Sequence, residues 1–163
     1  MNDLKYLDEM YRLGAAQYFD ILSVQAYGLR SGPDDRRVEE DDVNFSRPRL
    51  MREIMVRHND AHKPIWAAEL GWNAQPDSVT KPAIFGRVNE ETQSRYTVRA
   101  FERAREEWPW MGVMAIWFFK RADYSWTDEP MYYFRMAEPD LTPRMLYSTV
   151  REYTRQRRLG SNQ

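Results

Sequence analysis

Residues 63–72 read KPIWAAELGW, and this stretch decides the fold. It is a nearly continuous apolar run opened by Pro64, a residue tolerated at the first position of a strand. Near its end stands a single carboxylate, Glu69, followed by Gly71, Trp72 and Asn73. A carboxylate on an otherwise apolar strand is costly to desolvate unless it is paired or faces a wet cleft. Glu69 is therefore the first candidate for chemistry, and Gly71 lets the chain turn sharply behind it.

Two similar runs flank this one. Residues 19–27 (FDILSVQAY) and 111–119 (MGVMAIWFF) also read as strands. Between and around them lie helical patterns. Leu4, Leu7, Met10 and Tyr11 share a face in a helix over 2–13 that Gly14 stops. Ser46 is placed to cap a helix carrying Leu50, Met51, Ile54 and Met55, with Pro48 in its first turn. Asn89 caps a third helix with Thr97, Phe101, Ala104 and Trp108 on one stripe. Thr142 and Pro143 open a fourth with Leu146, Val150 and Tyr153 inside. Strands separated by helices of this length pair in parallel, and apolar strands imply a sheet covered on both faces. The class is α/β, as a doubly wound open sheet or as part of a (β/α)8 barrel.

Strict alternation sorts the strand side chains. Ser23, Gln25 and Tyr27 share one face against Leu22, Val24 and Ala26. Glu69 goes with Ala67 and Ile65, which assigns Trp66 to the opposite, helix-covered face and hence to the core. Trp117 goes with Ala115 and Val113. Each strand thus offers one functional side chain near its C-terminal end, where parallel α/β folds bind ligands.

Composition narrows the function. With 24 Lys plus Arg against 25 Asp plus Glu there is no field to hold a nucleic acid or an anionic membrane. No run approaches the roughly 20 apolar residues of a membrane span, and residues 1–20 show no signal-peptide pattern. The absence of cysteine excludes disulfides, thiolate metal sites and a cysteine nucleophile. The aromatic load is high, with six Trp, ten Tyr and seven Phe, many of them beside loops. A cleft carboxylate among aromatic plates is what glycoside chemistry uses: the carboxylate attacks the anomeric carbon and ring faces stack on the sugar.

On these residues the chain resembles clan A of the glycoside hydrolases, the (β/α)8 superfamily that includes families 5 and 39. KPIWAAELGW resembles the seventh strand with its nucleophile. DILSVQAYG (20–28) resembles the sixth and GVMAIWFF (112–119) the eighth. The resemblance covers about residues 1–157 as strands six to eight and their helices, with 158–163 as a polar tail. It implies that Glu69 is the catalytic nucleophile, Tyr27 the phenol that supports it, and Trp117 the stacking platform. Gln25 stands where many members have His, able to hydrogen-bond a hydroxyl but not to share a proton. Trp72, Asn73, Phe119 and Trp126 are further candidates for substrate contact. No cofactor and no metal is implied. The partner is a carbohydrate, and the family points to an extracytoplasmic setting.

A retaining glycosidase also needs an acid/base carboxylate, which in this clan follows Asn at the end of the fourth strand. The one Asn-Glu pair here, Asn89-Glu90, precedes a helix and reads as a cap. The expectation is therefore a nucleophile-bearing portion, roughly 60% of a 250-residue barrel. It would be inactive alone and completed by an N-terminal half or by self-association. The alternative is a non-catalytic carbohydrate-binding or scaffold half-barrel. His58 and His62, four apart, lack the Glu of a metalloprotease motif, and the acidic run 39–42 reads as a solvated loop.

Overall fold

The computed structural model describes residues 2–160. In chain order its elements are helix α1 (Asp3–Arg12), strand β1 (Leu22–Gln25), α2 (Pro48–Arg57), β2 (Ile65–Leu70), α3 (Glu90–Glu107), β3 (Met111–Ile116) and α4 (Met145–Gly160). Short 3₁₀ turns cover Ala15–Tyr18 and Pro130–Phe134. The three strands form one parallel sheet in the order β1-β2-β3. The class is thus α/β, with every strand preceded by a helix. Among the described residues no helix is long and apolar enough to cross a membrane.

The helices cover one face only. Leu4, Leu7 and Tyr11 of α1 and Met51, Ile54 and Met55 of α2 pack on Val24 and Ile65. Ala100 and Ala104 of α3, with Trp108, pack on Ala67 and Leu70. The opposite face presents Ser23, Gln25, Trp66, Ala68, Val113 and Ala115, all exposed. This corrects the expectation of a sheet covered on both sides.

Trp66 accordingly leaves the core: it is 41% exposed and lies across Gly112 of the neighbouring strand. The reason is a bulge. Val24 pairs with Ala67, but the next residue, Gln25, pairs with Glu69, so β2 carries one extra residue there. Before the bulge Ile65 and Ala67 face the helices; after it Leu70 does, and Glu69 is turned to the open side with Ala68. A single inserted residue reverses the alternation, which is what bulges beside functional sites do.

Asn89 caps its helix as expected and Ser46 does not, while Asn2 adds a cap that the apolar spacing did not mark. Asn2 caps α1 through Leu4 and Lys5 N–H, and Asn89 caps α3 through Thr92 N–H at 2.8 Å. Ser46 does not cap α2, which starts without a side-chain cap. Its hydroxyl is spent on the carbonyl of Asp35, and it accepts from Arg103 at 2.9 Å. The fourth helix begins at Met145, later than Thr142, and runs through Gly160. It so takes in the first residues of the expected tail, of which 161–163 lie outside the described residues.

The long stretch between β1 and α2 has no regular structure yet is firmly held. Arg103, with no exposed surface, donates to the Pro33 and Asp35 carbonyls. Arg47, 7% exposed, donates to the carbonyls of Glu39, Glu40 and Asp42 and pairs with Asp3. Two buried guanidiniums thus supply the donors that the loop's carbonyls lack. At the opposite end of the strands, buried Asp60 accepts from Tyr11 Oη at 2.9 Å and pairs with Lys63 Nζ at 2.9 Å. His58 stacks on Tyr11 and bonds Asp8 at 2.8 Å.

Candidate active site

The C-terminal ends of the strands bring Gln25, Tyr27, Glu69 and Trp117 into the wall of one pocket of about 320 Å³. Tyr27 continues the exposed face of β1, and the bulge in β2 puts Glu69 opposite it. The Tyr27 hydroxyl donates to Glu69 Oε2 at 2.6 Å, and Gln25 Nε2 donates to the same oxygen at 3.0 Å. Oε1 accepts no hydrogen bond among the described residues. One carboxylate oxygen is therefore anchored twice and the other is left without a donor. Half-burial, then the hydrogen bond and negative charge of Glu69, push the Tyr27 phenol far above its ordinary range. It stays a donor at every working pH. Glu69 is the sole carboxylate among the described residues that line this pocket.

The rest of the wall is apolar and comes from loops. Leu29 and Val43 belong to the stretch after β1, Phe85 to the loop after β2, and Met131 and Phe134 to the 3₁₀ turn after β3. Phe134 meets Tyr27 edge-on at 5.6 Å and Phe85 edge-on at 5.9 Å, which holds the phenol in place from behind. Sequence reading missed all of these residues. No strand alternation or helical period marks them, since loop conformation alone brings them to the strand ends. The peptide bond between Trp117 and Phe118 is cis.

Four other candidates lie elsewhere. Trp72, expected at the mouth, has no exposed surface: it packs between Phe45 and Tyr96, and its Nε1 donates to the Ser31 carbonyl at 2.7 Å. A side chain on Gly28 would meet the indole at 2.1 Å, so a glycine is required there for this approach. Asn73 is likewise buried, contacting Gln75, while the adjoining carbonyl of Trp72 accepts from Gln93. Gly71 turns this segment inward, back under the sheet ends, where Gln93 of α3 meets the Trp72 carbonyl. Phe119, beside Tyr147, and Trp126, against Arg121, are partly exposed on the loops beyond β3 and do not line the pocket. Glu90 pairs with Arg144 at the start of α3 and is no part of the site.

Comparison with solved structures bears on the fold. The chain superposes on a family 39 glycoside hydrolase from the gut symbiont Bacteroides cellulosilyticus WH2 with a TM-score of 0.59 and 17% identity. The match covers 87% of this chain and 28% of that one. The fold is glycoside-hydrolase-like. A GH2 β-galacturonidase from Eisenbergiella tayi aligns with a TM-score of 0.57 and 18% identity over 86% of this chain and 24% of its own. A Faecalibacterium prausnitzii β-glucuronidase gives 0.53 and 17% over 86% and 22%. The chain thus spans about a quarter of the length of these hydrolases. No protein-family model and no curated protein matches the sequence.

Proposed function

We propose that this chain is the nucleophile-bearing portion of a clan A (β/α)8 glycoside hydrolase, family 5- or 39-like, that cleaves β-linked sugars with retention. The observation that carries the reading is the asymmetric hold on Glu69 in the pocket wall: Oε2 receives both donors, and Oε1 accepts none among the described residues. In this reading Oε1 attacks the anomeric carbon, the bond from that carbon to the leaving oxygen breaks, and a glycosyl ester forms on Glu69. The Tyr27 and Gln25 donors hold and orient the carboxylate. Trp117 offers its ring to the apolar side of the sugar. Proton donation to the leaving oxygen requires a second carboxylate about 5 to 5.5 Å from the first, and later that group activates water to release the sugar. A complementary barrel portion supplies it, pairing with the free edges of β1 and β3 and covering the open sheet face. No cofactor enters this chemistry.

The step assigned to this chain is testable by itself, because a leaving group that departs without a proton bypasses the acid. Incubation with 2-deoxy-2-fluoro-β-glycosyl fluorides should add one fluoroglycosyl group, seen by mass spectrometry on the peptide containing Glu69, and none in Glu69→Gln. Absence of labelling across a panel of sugars would refute the nucleophile assignment.

A second reading, a non-catalytic carbohydrate-binding or scaffold half-barrel, is favoured by the single carboxylate in the pocket wall. It predicts sugar binding without labelling.

A further inference from the structure

The loop after β3 carries a guanidinium whose donors are unspent. Arg121 lies between the rings of Phe118 and Trp126, with its central carbon 4.8 and 4.6 Å from the two centroids. These contacts fix the guanidinium in place but satisfy no N–H group. Its Nη2 reaches only the thioether sulfur of Met131, a weak acceptor, at 3.6 Å. Its Nε is shielded from solvent and has no hydrogen-bond partner. Arg121 forms no ion pair among the described residues, whereas Arg135 and Arg144 nearby both pair with Glu138. Leaving a buried charged donor unpaired is expensive. That expense is recovered when a ligand brings the acceptor.

The location says which ligand. Met131 touches Arg121 and also lines the Glu69 pocket, and Phe118 directly follows Trp117 in the pocket wall. Met131 thus links the guanidinium to the pocket wall, and methionine moves aside easily. A planar fork of donors matches a carboxylate with two parallel hydrogen bonds. Lys120 adds a second positive charge beside it; its Nζ bonds only the Arg121 carbonyl, at 3.2 Å.

We propose that Arg121 is a specificity-determining residue that binds the carboxylate of a uronic acid unit in the Glu69 pocket. The inference rests on the glycosidase reading above and names its substrate class.

The test is calorimetric or NMR titration of the 163-residue chain with methyl β-D-glucuronide and methyl β-D-glucoside. The glucuronide should bind at least about tenfold more tightly, the size of one charge-assisted hydrogen bond. Arg121→Gln should bring glucuronide affinity down to that of the glucoside and leave the glucoside unchanged, while Arg121→Lys retains part of the preference. Equal affinities in the unmodified chain overturn the proposal without need of a variant. A preference that survives in Arg121→Gln also overturns it. Labelling of Glu69 by fluoroglycosides with no acid preference removes the Arg121 role alone. Neither binding nor labelling removes the glycosidase reading with it.

Discussion

The Tyr27 hydroxyl donates a 2.6 Å hydrogen bond to Oε2 of Glu69, across two strands and through a bulge that turns Glu69 onto the Tyr27 side of the sheet. Without the extra residue in β2, Glu69 would sit with Ile65 and Ala67 against the helices, where a carboxylate has no partner and no substrate. The bulge therefore decides whether this carboxylate can function at all. It also frees Oε1, since both donors converge on the other oxygen.

Removing that hydroxyl isolates its contribution. Tyr27→Phe keeps the ring against Phe134 and deletes one charge-assisted hydrogen bond. The rate of Glu69 labelling by a fluoroglycosyl fluoride should fall roughly ten- to a hundredfold. An unchanged rate would show that Tyr27 only packs.

Trp72 serves stability in this structure, so its replacement should be felt in folding and not in sugar recognition. Trp72→Ala should cost about 3 to 5 kcal/mol in denaturant melts. Gly28→Ala, which drives a methyl group into the indole, should cost about 1 to 3 kcal/mol. A Trp72→Phe variant that folds should bind glycosides as the unmodified chain does. Loss of binding at unchanged stability would return Trp72 to the site.

Asp60 sets an acid limit on stability. Burial opposes its ionisation, but the Lys63 ammonium and the Tyr11 hydroxyl outweigh burial and hold the carboxyl below the ordinary 3.8. With the folded pKa depressed, the stabilisation is fully present above the unfolded value. It is lost as the pH falls from near 3.8 through the folded pKa. Thermal melts between pH 6 and pH 2 should show this loss, and Asp60→Asn should be less stable at neutral pH with a flatter acid limb. A parallel pair of profiles would refute the assignment.

The open sheet face should make the isolated chain associate. Trp66 and Val113 are adjacent in register and exposed by 41% and 44%, and β1 and β3 present unpaired edges. Sedimentation should show concentration-dependent association, reduced in Trp66→Lys. A clean monomer at every concentration would argue against an incomplete barrel.

The sequence by itself determined the alternation of helices and strands, the parallel sheet and the Asn89 start of the third helix. Apolar spacing and capping chemistry are local properties, readable residue by residue. It also drew attention to Glu69, since a carboxylate in an apolar strand stands out wherever it points. What the tertiary structure alone decided is direction. A bulge reversed the β2 alternation, so that Trp66 shares the open side with Glu69 while Ile65 and Ala67 face the helices. A turn at Gly71 carried Trp72 and Asn73 into the core, against Phe45 and Tyr96. Loop side chains distant in sequence, Val43, Phe85 and Phe134, closed the pocket. Each of these outcomes depends on contacts between segments tens of residues apart, and no local pattern encodes them. Register and loop closure are settled only when the whole chain packs.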